Sequence, residues 1–155
     1  MPSLPTPDAV SQTLSTFLRR EVFVREVPVN ARPPVLGIYK SSSGAPVAVC
    51  ASDIAFAAFS SAAFALIPAP VARDSVKAGA LEEGLGEIFA EVLNVLSRLF
   101  ASHEGVRVTL MQTVFPPAPL PPSGSQPAPG GELGLEIDID GYGKGLLVLG
   151  LLGAA

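Results

Sequence analysis

The 155-residue chain is 48% hydrophobic and only 15% charged, with a formal net charge of −4 and a pI near 4.9. That is enough for one domain, residues 1–155, burying about two-thirds of its unfolded surface, and cramped for two. So sparse and acidic a charge gives no electrostatic footprint for nucleic acid or an anionic membrane, and the single Cys50 excludes an internal disulfide.

Met1 to Arg20 has no apolar export-signal core, so the cytoplasm is the expected location. Mean hydropathy is +0.46 and Ile54 to Val71 carries no charge. Pro68 and Pro70, however, cut the helical part of that run to about fourteen residues, short of the roughly twenty that span a bilayer.

In chain order, Thr6-Pro7-Asp8 is a helix start, and Val10, Leu14, Phe17 and Leu18 keep helical spacing behind it. Val22 to Val29 and Val35 to Tyr39 read as extended. Ser41 to Gly44 turns the chain back into Pro46 to Cys50 as a hairpin partner, where Cys50 is an ordinary buried thiol. Asp53 opens an Ala- and Phe-rich helix ending near Ile67. Asp74-Ser75 then caps a long helix, with Gly79, Gly84 and Gly86 marking close packing or a break in its first half.

Val106 to Phe115 is a strand that delivers Pro116 and Pro117 to one end of the domain. Residues 116–131 are so rich in Pro and Gly that they form a surface loop rather than sheet or helix; composition favours a mobile loop over an SH3-type ligand. Leu133 to Asp140 alternates apolar and polar residues, turns at Gly141 to Lys144 and returns as a Leu-rich strand. The predicted class is α+β, a mostly antiparallel sheet with helices covering its faces.

The long helix carries the informative spacing. Glu87, Glu91 and Asn94 stand at i, i+4 and i+7, within about 60° of one another on a helix of roughly 100° per residue. Leu81, Leu85, Ile88, Val92, Val95 and Leu99 form an apolar line that Phe89, Leu93, Leu96 and Phe100 widen, so the polar stripe, continued by Arg98, points away from the core. Two carboxylates at i and i+4 cost a few tenths of a kcal/mol, and Asn is a mediocre helix former, so solubility alone does not ask for this pattern. Twenty-two residues separate Asn94 from Pro117.

That spacing resembles the signature of the CheC/CheX/FliY family of bacterial phosphatases: Ser or Asp, three residues, Glu, two residues, Asn, twenty-two residues, Pro. Glu91, Asn94 and Pro117 match in both gaps, Glu87 stands where the family has Ser or Asp, and Val95-Leu96-Ser97-Arg98 is bulkier than the family's small, Gly-containing stretch. The single motif is more similar to CheX than to two-site CheC, and the element order matches over roughly residues 27–152. The resemblance implies a CheY-like receiver domain as partner, its aspartyl phosphate as substrate, Mg²⁺ and a Lys supplied by the receiver with no cofactor of the chain's own, and a dimer joined through sheets. It also implies roles: Asn94 positions the attacking water, Glu91 docks the receiver's Lys, and Glu87, Arg98 and Pro117 shape the contact. The alternative on the same scaffold is a module that binds a receiver or another signalling protein without turnover.

Other chemistry-bearing residues read as structural. His103 precedes Gly105 at a helix end, Asp138 and Asp140 alternate with Ile on a solvated strand face, and Gly141-x-Gly-x-Gly has no helix after it to cradle phosphate. No clustered His/Cys set points to zinc, and no Ser-His-Asp hydrolase arrangement is evident.

Overall fold

In the computed structural model the described residues are 3–30, 32–100, 107–116 and 127–152. Helix α1, Pro7–Leu18, starts as its sequence dictates: Thr6 Oγ1 accepts the N–H of Ala9 at 3.2 Å, and Pro7 occupies a first-turn position where no N–H is needed. Strands β1, Val22–Val27, β2, Val35–Lys40, and β3, Pro46–Ser52, follow, the last two as a hairpin. Asp53 then caps α2, Ile54–Ala65, by accepting the N–H of Phe56 at 2.8 Å.

The single long helix expected after residue 74 is two helices, α3, Ala69–Ala78, and α4, Glu83–Leu96. Pro68 and Pro70 begin α3 at a point where Pro costs nothing, and Gly79 ends it in the left-handed region, φ 70, which a residue without Cβ adopts freely. Ser75 is therefore interior to α3, and its hydroxyl accepts the N–H of Glu82 at 3.3 Å, tying the two helices together. Of the two alternatives for the glycines, Gly79 is a break, while Gly84 and Gly86 lie inside α4. A short 3-10 turn, Ser97–Phe100, extends α4.

Strands β4, Thr109–Val114, β5, Pro127–Ile139, and β6, Gly143–Leu152, complete a six-stranded sheet in the order β1-β5-β6-β3-β2-β4, every described pairing antiparallel. The Pro/Gly-rich stretch ends inside β5, whose ladder jumps from Pro127↔Leu152 to Glu132↔Gly150. Prolines at 127 and 129 have no N–H to donate, and continuous pairing begins only at Glu132. His103, Pro117 and the rest of 117–126 lie outside the described residues.

All four α-helices among the described residues contribute to one core cluster, with Leu14, Phe56, Ala72, Phe89, Leu93 and Leu96 packed on Tyr39, Cys50, Leu135, Ile137 and Leu149 of the sheet. The described helices thus share one face of the sheet instead of dividing between two. The opposite face gathers a second apolar cluster, Leu36, Ile38, Val49, Ala51, Val114 and Val148, to which no described helix contributes. Helix α2 is buried along most of its length, which explains why its sequence has almost no polar side. Among the described residues no helix is long and apolar enough to cross a membrane, and no group of three or more His, Cys, Asp or Glu could hold a metal ion.

Candidate functional site

Helix α4 divides as its sequence divides it. Leu85, Phe89, Val92, Leu93 and Leu96 are buried, Leu81, Ile88, Val95 and Leu99 are half-buried, and Glu87, Glu91, Asn94 and Arg98 are exposed. Glu91 and Asn94 therefore present a carboxylate and a carboxamide to solvent from adjacent turns. None of Glu87, Glu91 and Arg98 forms an ion pair with another described residue; the pairs among those residues are Arg25–Glu136 and Arg32–Glu132.

What lies beneath holds this stripe in place. Gly37 of β2 lets α4 settle onto the sheet: a Cβ there would stand 2.9 Å from both methyls of Leu93. Two residues on, the buried Tyr39 hydroxyl donates to the Leu93 carbonyl at 2.6 Å and lies 3.4 Å from Cys50 Sγ, its ring tilted against Phe100 with centroids 5.4 Å apart. The backbone immediately before Asn94 is thus fixed by both a close steric contact and a hydrogen bond. On its other side, Ser97 Oγ donates to the Asn94 carbonyl at 2.6 Å as the helix tightens into the 3-10 turn.

Burial raises the Tyr39 hydroxyl well above the usual phenol range, with neighbouring Cys50 adding to the effect. Burial also pushes the Cys50 thiol up to about 12, against a smaller lowering by its contact with Tyr39. Both groups stay protonated at neutral pH, and Cys50 is an inert core thiol rather than a nucleophile. Asp53, partly buried at the start of α2, has its pKa raised by desolvation against the opposing pull of backbone N–H groups, Phe56's first.

Two grooves run between α4 and the edge strand β4. The first, about 460 Å³, is lined by Ile54, Leu81, Gly86, Ala90, Phe115 and Pro116, with Glu82, Glu87 and Thr113. The second, about 610 Å³, is lined by Asn94, Ser97, Arg98, Arg107, Val108 and Thr109. Glu91 stands on the helix between the stretches that face them. The structure thus brings Asn94 together with Arg98 and sets Glu87 at a separate, more apolar groove. Arg107, which sequence reading missed, lines the same groove as Asn94 because β4 pairs with β2 at the sheet edge, Leu36↔Val114 to Lys40↔Thr109; no local pattern announces it.

No family model matches the sequence, and no curated protein matches it. Solved structures do. The FliM of an H. pylori FliM–SpeE complex superposes with a TM-score of 0.66 at 10% identity, over 94% of this chain and 81% of that one. The CheX–CheY–BeF3–Mg²⁺ complex of Borrelia burgdorferi matches at 0.57 and 16%, over 94% of each chain. Thermotoga maritima FliY matches at 0.53 and 16%, over 93% of this chain and 82% of that one. The fold is of the CheC/CheX/FliY type. At such identities this CheX-like fold leaves the chemistry to be argued from the residues on α4.

Proposed function

We propose that this protein inserts α4 into the cleft of a phosphorylated CheY-like receiver domain and promotes hydrolysis of its aspartyl phosphate. The observation that carries the reading is the exposed Glu91–Asn94 pair on a helix fixed from below by Gly37 and Tyr39. The match to a CheX chain crystallised with CheY supports it.

An acyl phosphate is already reactive, so a partner accelerates its hydrolysis chiefly by holding one water in line with phosphorus. The Asn94 carboxamide oxygen accepts a hydrogen bond from that water while its NH₂ donates toward the phosphoryl oxygens, and neither function titrates. The water oxygen bonds to phosphorus, the bond from phosphorus to the aspartyl oxygen breaks, and the carboxylate leaves as inorganic phosphate forms, the water's proton passing to phosphate or solvent. Glu91 pairs with the receiver's Lys and sets the register; the receiver also brings the Mg²⁺. Glu87, Arg98 and Pro117 belong to the surrounding contact, with Glu87 addressing the apolar groove rather than the phosphoryl group. The same reading places the protein in the cytoplasm and gives it a homodimer formed through an edge strand, which would also protect that edge from aggregation.

The second reading is a module on this fold that binds a signalling protein without turnover. It is favoured by the FliM matches, among them FliM in complex with FliG and with SpeE, and by the bulk of Val95 and Leu96 after Asn94. The two are separated by following the decay of a phosphorylated receiver alone, with the protein, and with Asn94→Ala. Acceleration that Asn94→Ala removes establishes the phosphatase; receiver binding with unchanged decay selects a receiver-binding module; identical decay without binding overturns the phosphatase and leaves only a module for a different signalling protein.

A further inference from the structure

The water-positioning step itself uses neither of two cations that share a groove with Asn94. Arg98, from the 3-10 turn after α4, and Arg107, from the lead into β4, line one groove together with Asn94, Ser97 and Thr109. Val108 is the apolar member of that set. Both guanidinium groups belong to exposed residues, and neither is in an ion pair with another described residue. In a chain of net charge −4, this places two cations without an ion-pair partner among the described residues in the same groove as the one amide the chemistry needs. The neighbouring groove carries the opposite sign, Glu82 and Glu87, so charge is sorted along α4 from acidic at its start to basic at its end.

Guanidinium forks match the two-oxygen edge of carboxylates and phosphates, and the Thr109 hydroxyl and the Asn94 amide can add further donors, the Ser97 proton being given to the Asn94 carbonyl. A groove of about 610 Å³ is larger than one oxyanion, which suits an anion carried on a side chain or loop of a partner. We infer that this groove is an oxyanion subsite in which Arg98 and Arg107 hold a phosphate or carboxylate of the protein that docks on α4. The identity of the docked protein rests on the function proposed above; the anion site rests on the groove alone.

Two arms test it. Inorganic phosphate titrated into nitrogen-15-labelled protein is expected to move the backbone amides of Ser97, Arg107 and Thr109 saturably, where sodium chloride at matched ionic strength does not, and R98A/R107A to abolish the movement. Equal shifts in the wild type and the double variant, or none in either, overturn the subsite. In the second arm, binding of a receiver is measured with and without beryllofluoride and Mg²⁺. R98A/R107A is expected to weaken it about tenfold, from two partly exposed charge-assisted contacts, and R98K/R107K to recover part of the loss. Weakening confined to the beryllofluoride form identifies the phosphoryl group as the anion, and equal weakening in both forms identifies a receiver carboxylate. A receiver that binds the wild type and R98A/R107A equally overturns the subsite. Arginine-dependent phosphate shifts without any receiver binding retain the subsite and refute receiver docking.

Discussion

Replacing Gly37 by Ala puts a methyl 2.9 Å from both Cδ atoms of Leu93 and 3.3 Å from Leu110 Cδ1. Carbon atoms pack at about 3.5–4.0 Å, so Leu93 and the helix carrying it must withdraw by roughly 0.6–1 Å or change rotamer in a fully buried site. Overpacking of this kind costs about 1–3 kcal/mol. The backbone at Gly37 does not lie in the left-handed region, so the change also gains about 0.4–1 kcal/mol from a less flexible unfolded chain. The net expectation is a loss of about 1.5 kcal/mol, or about 3–6 °C in Tm for a domain of this size. Urea unfolding of the wild type, Gly37→Ala, Leu93→Ala and the double variant makes the test specific. Leu93→Ala alone costs about 2–5 kcal/mol through its cavity. Once Leu93 is truncated, however, the methyl added at position 37 has room, so the Gly37 change should become neutral or slightly stabilising. The cycle therefore carries a coupling energy of about 1–2 kcal/mol. Additive losses within about 0.5 kcal/mol would refute the close approach of α4 to β2 as the reason for a glycine at this position.

Gly86→Ala should act with the opposite sign, stabilising by about 0.5–1 kcal/mol, because its Cβ would meet only the Phe115 ring at 3.9 Å while removing a flexible residue from α4; a lower denaturation midpoint would contradict this. Tyr39→Phe removes the hydrogen bond to the Leu93 carbonyl and should cost about 1 kcal/mol, with faster amide hydrogen exchange concentrated near the C-terminal end of α4; exchange that rises evenly over the whole domain would refute a local anchor. Asp53→Asn keeps the cap but removes the titration. Because burial raises the folded pKa of Asp53, its contribution to stability is fully present below the unfolded value of about 3.9 and is lost as pH rises through the folded one. The variant should therefore match or exceed the wild type at pH 7 and lose that advantage on acidification, as thermal melts from about pH 4 to pH 7 will show; a difference independent of pH would remove burial as the cause.

Much of the fold was legible because its signals are local. Thr6 and Asp53 accept the N–H groups their positions advertise, the β2–β3 and β5–β6 hairpins turn where Ser, Gly and Lys cluster, and the alternation from Leu133 to Ile139 faces the core with Leu135, Ile137 and Ile139. The division into α3 and α4 was lost to a competing local signal. Asp74-Ser75 has the composition of a cap but lies inside a helix, while α4 follows Glu82, an N-cap with no side-chain cap bond to mark it. The exposed stripe was legible because helical periodicity alone decides which side of α4 is wet. Arg107 was not, since its place beside Asn94 depends on the pairing of β4 with β2, a strand far back in the chain, and nothing in Gly105-Val106-Arg107 encodes that.

The position of Asn94 matters more for the proposed chemistry than its exposure does. Many surface amides are exposed; a water-positioning amide must also return to one geometry within about 0.5 Å each time a partner docks. Helix α4 is suited to that demand by Gly37 and Tyr39, two residues of one interior strand that engage the helix turn immediately before the amide. A module that only adheres to a partner tolerates a looser helix, because side chains at an interface adjust rotamers on binding. Stability and turnover should therefore separate in Tyr39→Phe. If Asn94 works by holding a water, turnover falls further than the folded fraction does, while receiver affinity, set by Glu91 and the surrounding charges, stays close to that of the wild type. If turnover instead tracks the folded fraction across the Tyr39 and Gly37 variants, the close seating of α4 has no catalytic role beyond keeping the domain folded.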